Sequence, residues 1–461
     1  MPHPNNQPSP LLTMRSALVA RLALFFVAAL RSFAADAATL PAFPGAEGFG
    51  ATTPGGRGGR VLFVTNLNDS GPGSFRAACE AEGPRIVIFR TSGTIALKKD
   101  IVVRNPFLTV AGQTAPGDGI CLRDRSFGIA THDVVVRYLR FRLGDEGRQQ
   151  ADALDLLNGA RHVVLDHCSA TWSVDECLSL SGDVANVTIQ WCLIGESLRQ
   201  SVHAKGAHGY GSLSRANGPV TWHHNLWIHN DARNPRLGDN YGRPPYPTFD
   251  VRNNVIYGFG GTASGLTQGI LKVNYVGNYL RAGPDSSART PITVSEKSDL
   301  HFFIRDNVLD GHADLTADNT RFFNLRETRA GKPVVTVVDT AFPAPAVTTT
   351  SAADALEAVL ASVGANLPKR DAMDTRLVGH VRTRSGRMIN SQREVGGWPV
   401  LLASPAPADR DDDGMPDTWE EARRLDANDP ADAARDLDRD GYANIEEFLN
   451  QTDPGKPEPT T

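Results

Sequence analysis

The sequence predicts an all-β parallel solenoid, and three observations carry that prediction. Short apolar segments recur without helical patterns between them, one residue type returns at a repeated register, and 43 glycines with 7% aromatic residues supply many tight turns. The segments are 85–89, 107–111, 133–141, 162–168, 186–194, 220–227, 249–256, 271–280 and 300–309. Asn225, Asn254, Asn278 and Asn307 are spaced 29, 24 and 29 residues apart by subtraction, and Cys168 and Cys192, 24 apart, hold the same register earlier. Such periods, with strands rather than helices, favour a parallel β-helix. Stacked turns bring one register into a ladder, so the asparagines predict an internal amide ladder at a bend. An antiparallel sandwich would need hairpin turns such as Asn-Gly every ~8–12 residues, and these are sparse.

The elements follow in order. Residues 1–37 read as a leader with an export signal starting at Met14: Arg15 and Arg21 flank or interrupt the apolar run 17–30, and Ala35-Asp36-Ala37 offers a small-residue cleavage site. That run is short and carries Arg21, which argues against a membrane anchor. The expected location is secreted or extracellular, with the periplasm and the cell surface as variants. Residues 43–59 are glycine-rich but lack the Gly-Lys-Ser/Thr ending of a phosphate loop. A strand at 61–65 and a capped helix near 73–82 follow, and the repeats run from there to 310. Residues 311–402 read as a wrapping extension with a helix at 356–364, and Pro- and Ala-rich 403–408 as a linker. Five cysteines, an odd number fitting no zinc spacing, read as buried free thiols. A net charge of −5 gives no global attraction to nucleic acid, so an anionic ligand must meet a local patch. The chain is expected to act as a monomer.

The tail, 409–453, carries the clearest metal signature. Asp409, Asp411, Asp413 and Glu420 take positions one, three, five and twelve of a calcium loop, and Asp436, Asp438, Asp440 and Glu447 repeat the pattern, each with glycine at six. Helices are expected at 418–425 and 444–450. Prolines rather than a helix precede the first loop, so the pair resembles a dockerin or thrombospondin-type calcium repeat, with a structural or anchoring role.

Chemistry gathers elsewhere, in Asp152-Ala-Leu-Asp155, in the stretch from Asp166-His-Cys-Ser to Asp175-Glu176, in Val202-His-Ala-Lys-Gly-Ala-His-Gly-Tyr210, and in Thr221-Trp-His-His-Asn225 leading to Ala232-Arg-Asn-Pro-Arg236. Residues one turn apart lie about 4.8 Å apart per rung, so acidic groups of successive turns can share a cation beside Lys205 and Arg233. Segment 220–227 reads as one buried strand running into a loop whose proline stiffens the presentation of Arg233 and Arg236.

These motifs, with the opening Phe-Pro-Gly-Ala-Glu-Gly-Phe-Gly, resemble the pectate lyases of polysaccharide lyase family 1 across roughly residues 43–310. The resemblance implies a right-handed single-stranded parallel β-helix that cleaves polygalacturonate by calcium-dependent β-elimination. It implies calcium at Asp152 and Asp175, substrate binding by Lys205, and Arg233 as the catalytic base; His203 and His208, close to Lys205 in the sequence, are expected to bind substrate as well. Ser179 stands where the family often has a further acid, and Gly238 where it has a second arginine, so Glu176 and Arg236 are the candidate replacements. A β-helix polygalacturonase, which hydrolyses the same polymer, and a non-catalytic carbohydrate-binding β-helix are the competing functions.

Overall fold

The computed structural model describes Met1 and residues 40–458, apart from 288–289, 296–297, 324–327 and 330–331. The expected export signal and its cleavage site lie outside the described residues. From residue 41 the chain winds into a solenoid of three parallel sheets. The first has eleven strands, from Arg60–Val64 to Val335–Val337; the second has nine, from Gly93–Ala96 to Val308–Leu309; the third has six, from Ile101–Val103 to Arg236–Asp239. Val187, Val220, Phe249 and Val273 align in register along the first sheet, all fully buried, and form one column of the core. The expected boundary at 310 falls short, because Val335–Val337 pairs with Asp299–Arg305 and adds a rung.

Helix Phe75–Glu80, capped by Ser74, closes the first turn. Phe75 and Cys79 are fully buried, and the Phe75 ring lies 5.9 Å from that of Phe127, stacked on it. The glycine-rich stretch runs along the outside of the first sheet, where the N–H groups of Gly50 and Gly56 donate to Thr188 and Thr109 Oγ1. A Cβ at Gly56 would overlap the Arg85 carbonyl, so only glycine permits this approach.

Segment 220–227 is not one strand. It divides into Val220–His223 and Leu226–Ile228, since His224 adopts φ 54° and turns the chain from the first sheet toward the second. Tyr138, His167, Trp191, Asn253 and Asp306 make the same left-handed turn at φ 50–60°. Such a bend leaves backbone groups unpaired, and the next residue satisfies them. The backbone and side-chain amides of Asn225 both donate to Asn254 Oδ1 at 2.9 Å, those of Asn254 to Asn278 at 3.0 Å, and those of Asn278 to Asn307 at 2.9 Å. Cys192 N–H donates to Asn225 Oδ1 at one end, and Asn319 Oδ1 accepts from Asn307 at the other.

The extension forms helices Ala352–Ser362 and Ala372–Thr383. The second, which was not expected from the sequence, buries Met373, Leu377, Val378 and Val381 and is anchored by fully buried Arg142, which binds Asp371 and Asp374. All five cysteines are buried free thiols. In the tail, Met415, Ile445 and Leu449 pack with Ile86, Ile88 and Ala111 of the first sheet. Residues 409–453 therefore share an apolar core with the solenoid instead of standing apart behind 403–408. Among the described residues, no helix is long and apolar enough to cross a membrane.

Candidate functional site

The loops leading into the third sheet stack as the strands do. Glu176 bridges Tyr210 and Tyr210 bridges Ala232, both in parallel, while the N–H groups of Ala153, Tyr210 and Ser212 donate to the carbonyls of Glu176, Asp175 and Arg233. This backbone ladder carries Asp152, Asp175, Glu176, Tyr210 and Arg233 on adjacent rungs. Carboxylate oxygens of Asp152, Asp175 and Glu176 lie within 4.8 Å of one another, so the three acids predicted for the cation do meet. Three hard oxygen donors in that space suit calcium.

Burial pushes Asp152 up to about 6; hydrogen bonds from Asp155 and Ser179 oppose that rise, and the charge of Asp175 adds to it. Asp155, buried beside the Asp152 charge, is raised well above the usual carboxylate range. The Asp152 carboxylate also accepts from Glu176 N–H at 2.9 Å, which fixes it toward the next rung.

Arg233 has a left-handed backbone, φ 64°, and its guanidinium pairs with Glu176 and lies 3.9 Å above the Tyr210 ring. Glu176 is 3% exposed, so the pair is largely shielded from water. Burial, reinforced by neighbouring Arg236, pushes Arg233 down to about 10 against the pull of Asp175 and Asp152. Glu176 thus serves both groups: it shares the acidic cluster and neutralises the arginine.

His203, Lys205 and His208 lie together on the loop between strands Leu193–Gly195 and Leu213–Ala216. The two imidazoles stack at 3.7 Å, and their Nε2 atoms lie 3.6 and 3.7 Å from the Asp175 carboxylate. The histidines therefore brace an acidic residue of the cluster, whereas Lys205 is exposed. Arg236 opens strand Arg236–Asp239 beside Leu213, and its Nε donates to Leu266 O at 3.0 Å. Gly238 pairs with Arg215, two positions further along that strand.

Asp155 and Tyr210 were missing from the predicted set. Asp155 was legible: it alternates with inward Leu154 and Leu156, which puts it on the outer face in register with Ser179. Nothing in the sequence marked Tyr210 as the platform under Arg233.

The tail loops form separate clusters. Asp409, Asp411 and Asp413 converge, Asp436, Asp438 and Asp440 do likewise, and Asp413 and Glu420 also meet Asp432, which lies outside the twelve-residue motif. Glu447 accepts from the Thr452 hydroxyl. Burial, with repulsion from the neighbouring acids, pushes Asp413 up to about 7 and Glu420 up to about 8.

Comparison with known proteins agrees with the geometry. The chain is 38% identical over 423 residues to a probable pectate lyase C of Aspergillus flavus, covering 90% of this chain and 94% of that protein. It is 35% identical over 442 residues to a probable pectate lyase C of Aspergillus fumigatus, covering 94% and 99%. A solved pectate lyase, studied for its substrate specificity and anti β-elimination mechanism, shares the fold at a TM-score of 0.51 and 15% identity, covering 72% of this chain and 98% of that one. No protein-family model matches the chain.

Proposed function

The chain belongs to the pectate lyases, and from that premise we propose that it cleaves polygalacturonate by calcium-dependent β-elimination, with Arg233 as base and 4,5-unsaturated uronates as products. The observation that carries this reading is the meeting of Asp152, Asp175 and Glu176 beside a shielded arginine with a lowered pKa.

Removing the C5 proton of a uronate is difficult while its carboxylate is ionised, because charge accumulates on that group in the transition state. Asp152, Asp175 and Glu176 would hold calcium, which when bound supplies positive charge next to the substrate carboxylate. Exposed Lys205 and half-buried Arg236 bind that carboxylate from the open side. His203 and His208 hold Asp175 in place rather than contacting sugar. Arg233 takes the C5 proton, the released electron pair forms the C4–C5 double bond as the C4–O bond breaks, and solvent protonates the departing glycosyl oxygen; commitment of Glu176 to the cation cluster withdraws the negative charge that keeps the guanidinium protonated, and Tyr210 keeps its plane in position.

A hydrolase would need two carboxyl groups held apart, by at least about 5 Å, whereas carboxylate oxygens of Asp152, Asp175 and Glu176 lie within 4.8 Å of one another. Incubation with polygalacturonate separates the readings. A lyase creates an ultraviolet-absorbing unsaturated uronate; reducing ends without that absorbance would reject elimination, and neither signal would leave only a binding role. We also propose that the leader directs secretion and that the tail loops bind calcium in a structural role.

A further inference from the structure

We propose that the first tail loop and Asp432 together form one calcium cage, and that filling it clamps the tail onto the first turns of the solenoid. This rests on reading the tail loops as calcium sites, but not on the lyase reaction.

Glu420 is fully buried and neither of its carboxylate oxygens has a partner; Asp411 also has both oxygens unpartnered, as are Asp413 Oδ2 and Asp409 Oδ1. Asp432 is 2% exposed, and its Oδ1 is likewise unpartnered and faces the same space. Its other oxygen accepts from Asp426 N–H at 3.0 Å, which orients the carboxylate. Buried carboxylates without partners are strongly unfavourable unless a cation joins them. An all-oxygen set of five acids selects a hard divalent ion, and the number of donors favours calcium over magnesium.

The cage is joined to the solenoid on several sides. Arg90, just after strand Arg85–Phe89, binds Asp409 at 2.8 Å and Asp412 at 2.7 Å. Met415, next to the loop glycine, is fully buried in the cluster with Ile86 and Ile88. Asp432 also reaches the second half of the tail, because its backbone carbonyl accepts from Asn444 Nδ2 at 2.9 Å, at the start of helix Asn444–Asn450. That helix carries Ile445 and Leu449 onto the same sheet and Glu446 to Arg57 at 2.8 Å. One cation thus fixes the loop, both tail helices and their apolar contact with the sheet. The tail is then a staple covering an apolar sheet face that would otherwise meet water.

The test is hydrogen exchange on the full chain, titrated with calcium chloride after chelation, for the parent and for Asp432→Asn. The parent should protect peptides over 415–449 and over the 60–64 and 85–89 strands only as calcium is added, and Asp432→Asn should need about 10–100-fold more calcium. Should Asp432→Asn fail to fold, Asp432→Ser asks the same question. Parent peptides equally protected in chelator would overturn the clamp. A variant that responds at the parent's calcium concentration would remove Asp432 from the cage while leaving the loop reading intact. If equilibrium dialysis also finds no calcium on the tail of the parent, both readings fall together.

Discussion

Two acidic clusters in this molecule differ in what balances them. In the groove, Asp152, Asp175 and Glu176 are surrounded by Arg233, His203 and His208, and their backbone is held by the rungs of the solenoid. In the tail, Asp409, Asp411, Asp413, Glu420 and Asp432 turn unpartnered oxygens toward one another. The first has an arginine and two imidazoles packed against it within its own scaffold; on the proposed reading, the second depends on the cation for its order. Rigidity supplied by the scaffold suits a site that must reorganise charge during a reaction, whereas a site without it suits a permanent structural ion.

The largest effect that would break this comparison is on activity. Chelation should reduce formation of unsaturated uronate to background while circular dichroism keeps most of the sheet signal, only the first strands under the tail loosening, and calcium should restore it. Unsaturated product formed at the full rate in chelator would detach the groove cluster from the reaction.

Next in size is the scaffold itself. Asn278→Ala removes the acceptor for both Asn254 amides and the donor to Asn307 and Val251 O. A buried group left unpaired costs about 1–3 kcal/mol each, so thermal unfolding should shift down by several degrees. An unchanged midpoint would mean that the ladder contributes no stability.

The pH dependence sharpens the contrast between the clusters. Asp413 and Glu420 have folded values of about 7 and about 8, above their unfolded values of roughly 3.8 and 4.5, so the folded tail binds more protons across that window. Stability of the calcium-free protein should therefore fall as pH rises from about 4 to about 8. Asp152, raised to about 6, adds to the fall only over the lower part of the range. Saturating calcium should abolish the slope; denaturant titrations at a series of pH values would read both.

The smallest effect concerns Arg236→Lys. Lysine retains the charge but not the guanidinium fork, so KM for polygalacturonate should rise several-fold with kcat little changed. A fall in kcat with constant KM would place Arg236 in the chemical step instead.

Much of this architecture was legible in the sequence because a solenoid turns residue spacing directly into contact. Asn225, Asn254, Asn278 and Asn307 could be aligned by eye, and each proved to bond the next. The division of 220–227 was hidden, because a left-handed His224 has no strong sequence mark, unlike a glycine. Helix Ala372–Thr383 was obscured by its arginines, although 373, 377, 378 and 381 carry the helical spacing. In the site, Asp152, Asp175 and Arg233 could be read from motifs. The pairing of Glu176 with Arg233, the bracing of Asp175 by two histidines and the approach of Asp432 depend on loop conformations that no local pattern encodes.

The most direct test of the central claim is the turnover of Arg233→Lys at saturating calcium and polygalacturonate. A positioned general base contributes about 10²–10⁴-fold, and lysine lacks the reach and planarity to replace it. The rate should fall by that factor while folding and polymer binding stay close to those of the parent. A folded variant keeping more than about a tenth of the parent rate, a loss smaller than general-base catalysis implies, would contradict Arg233 as the base.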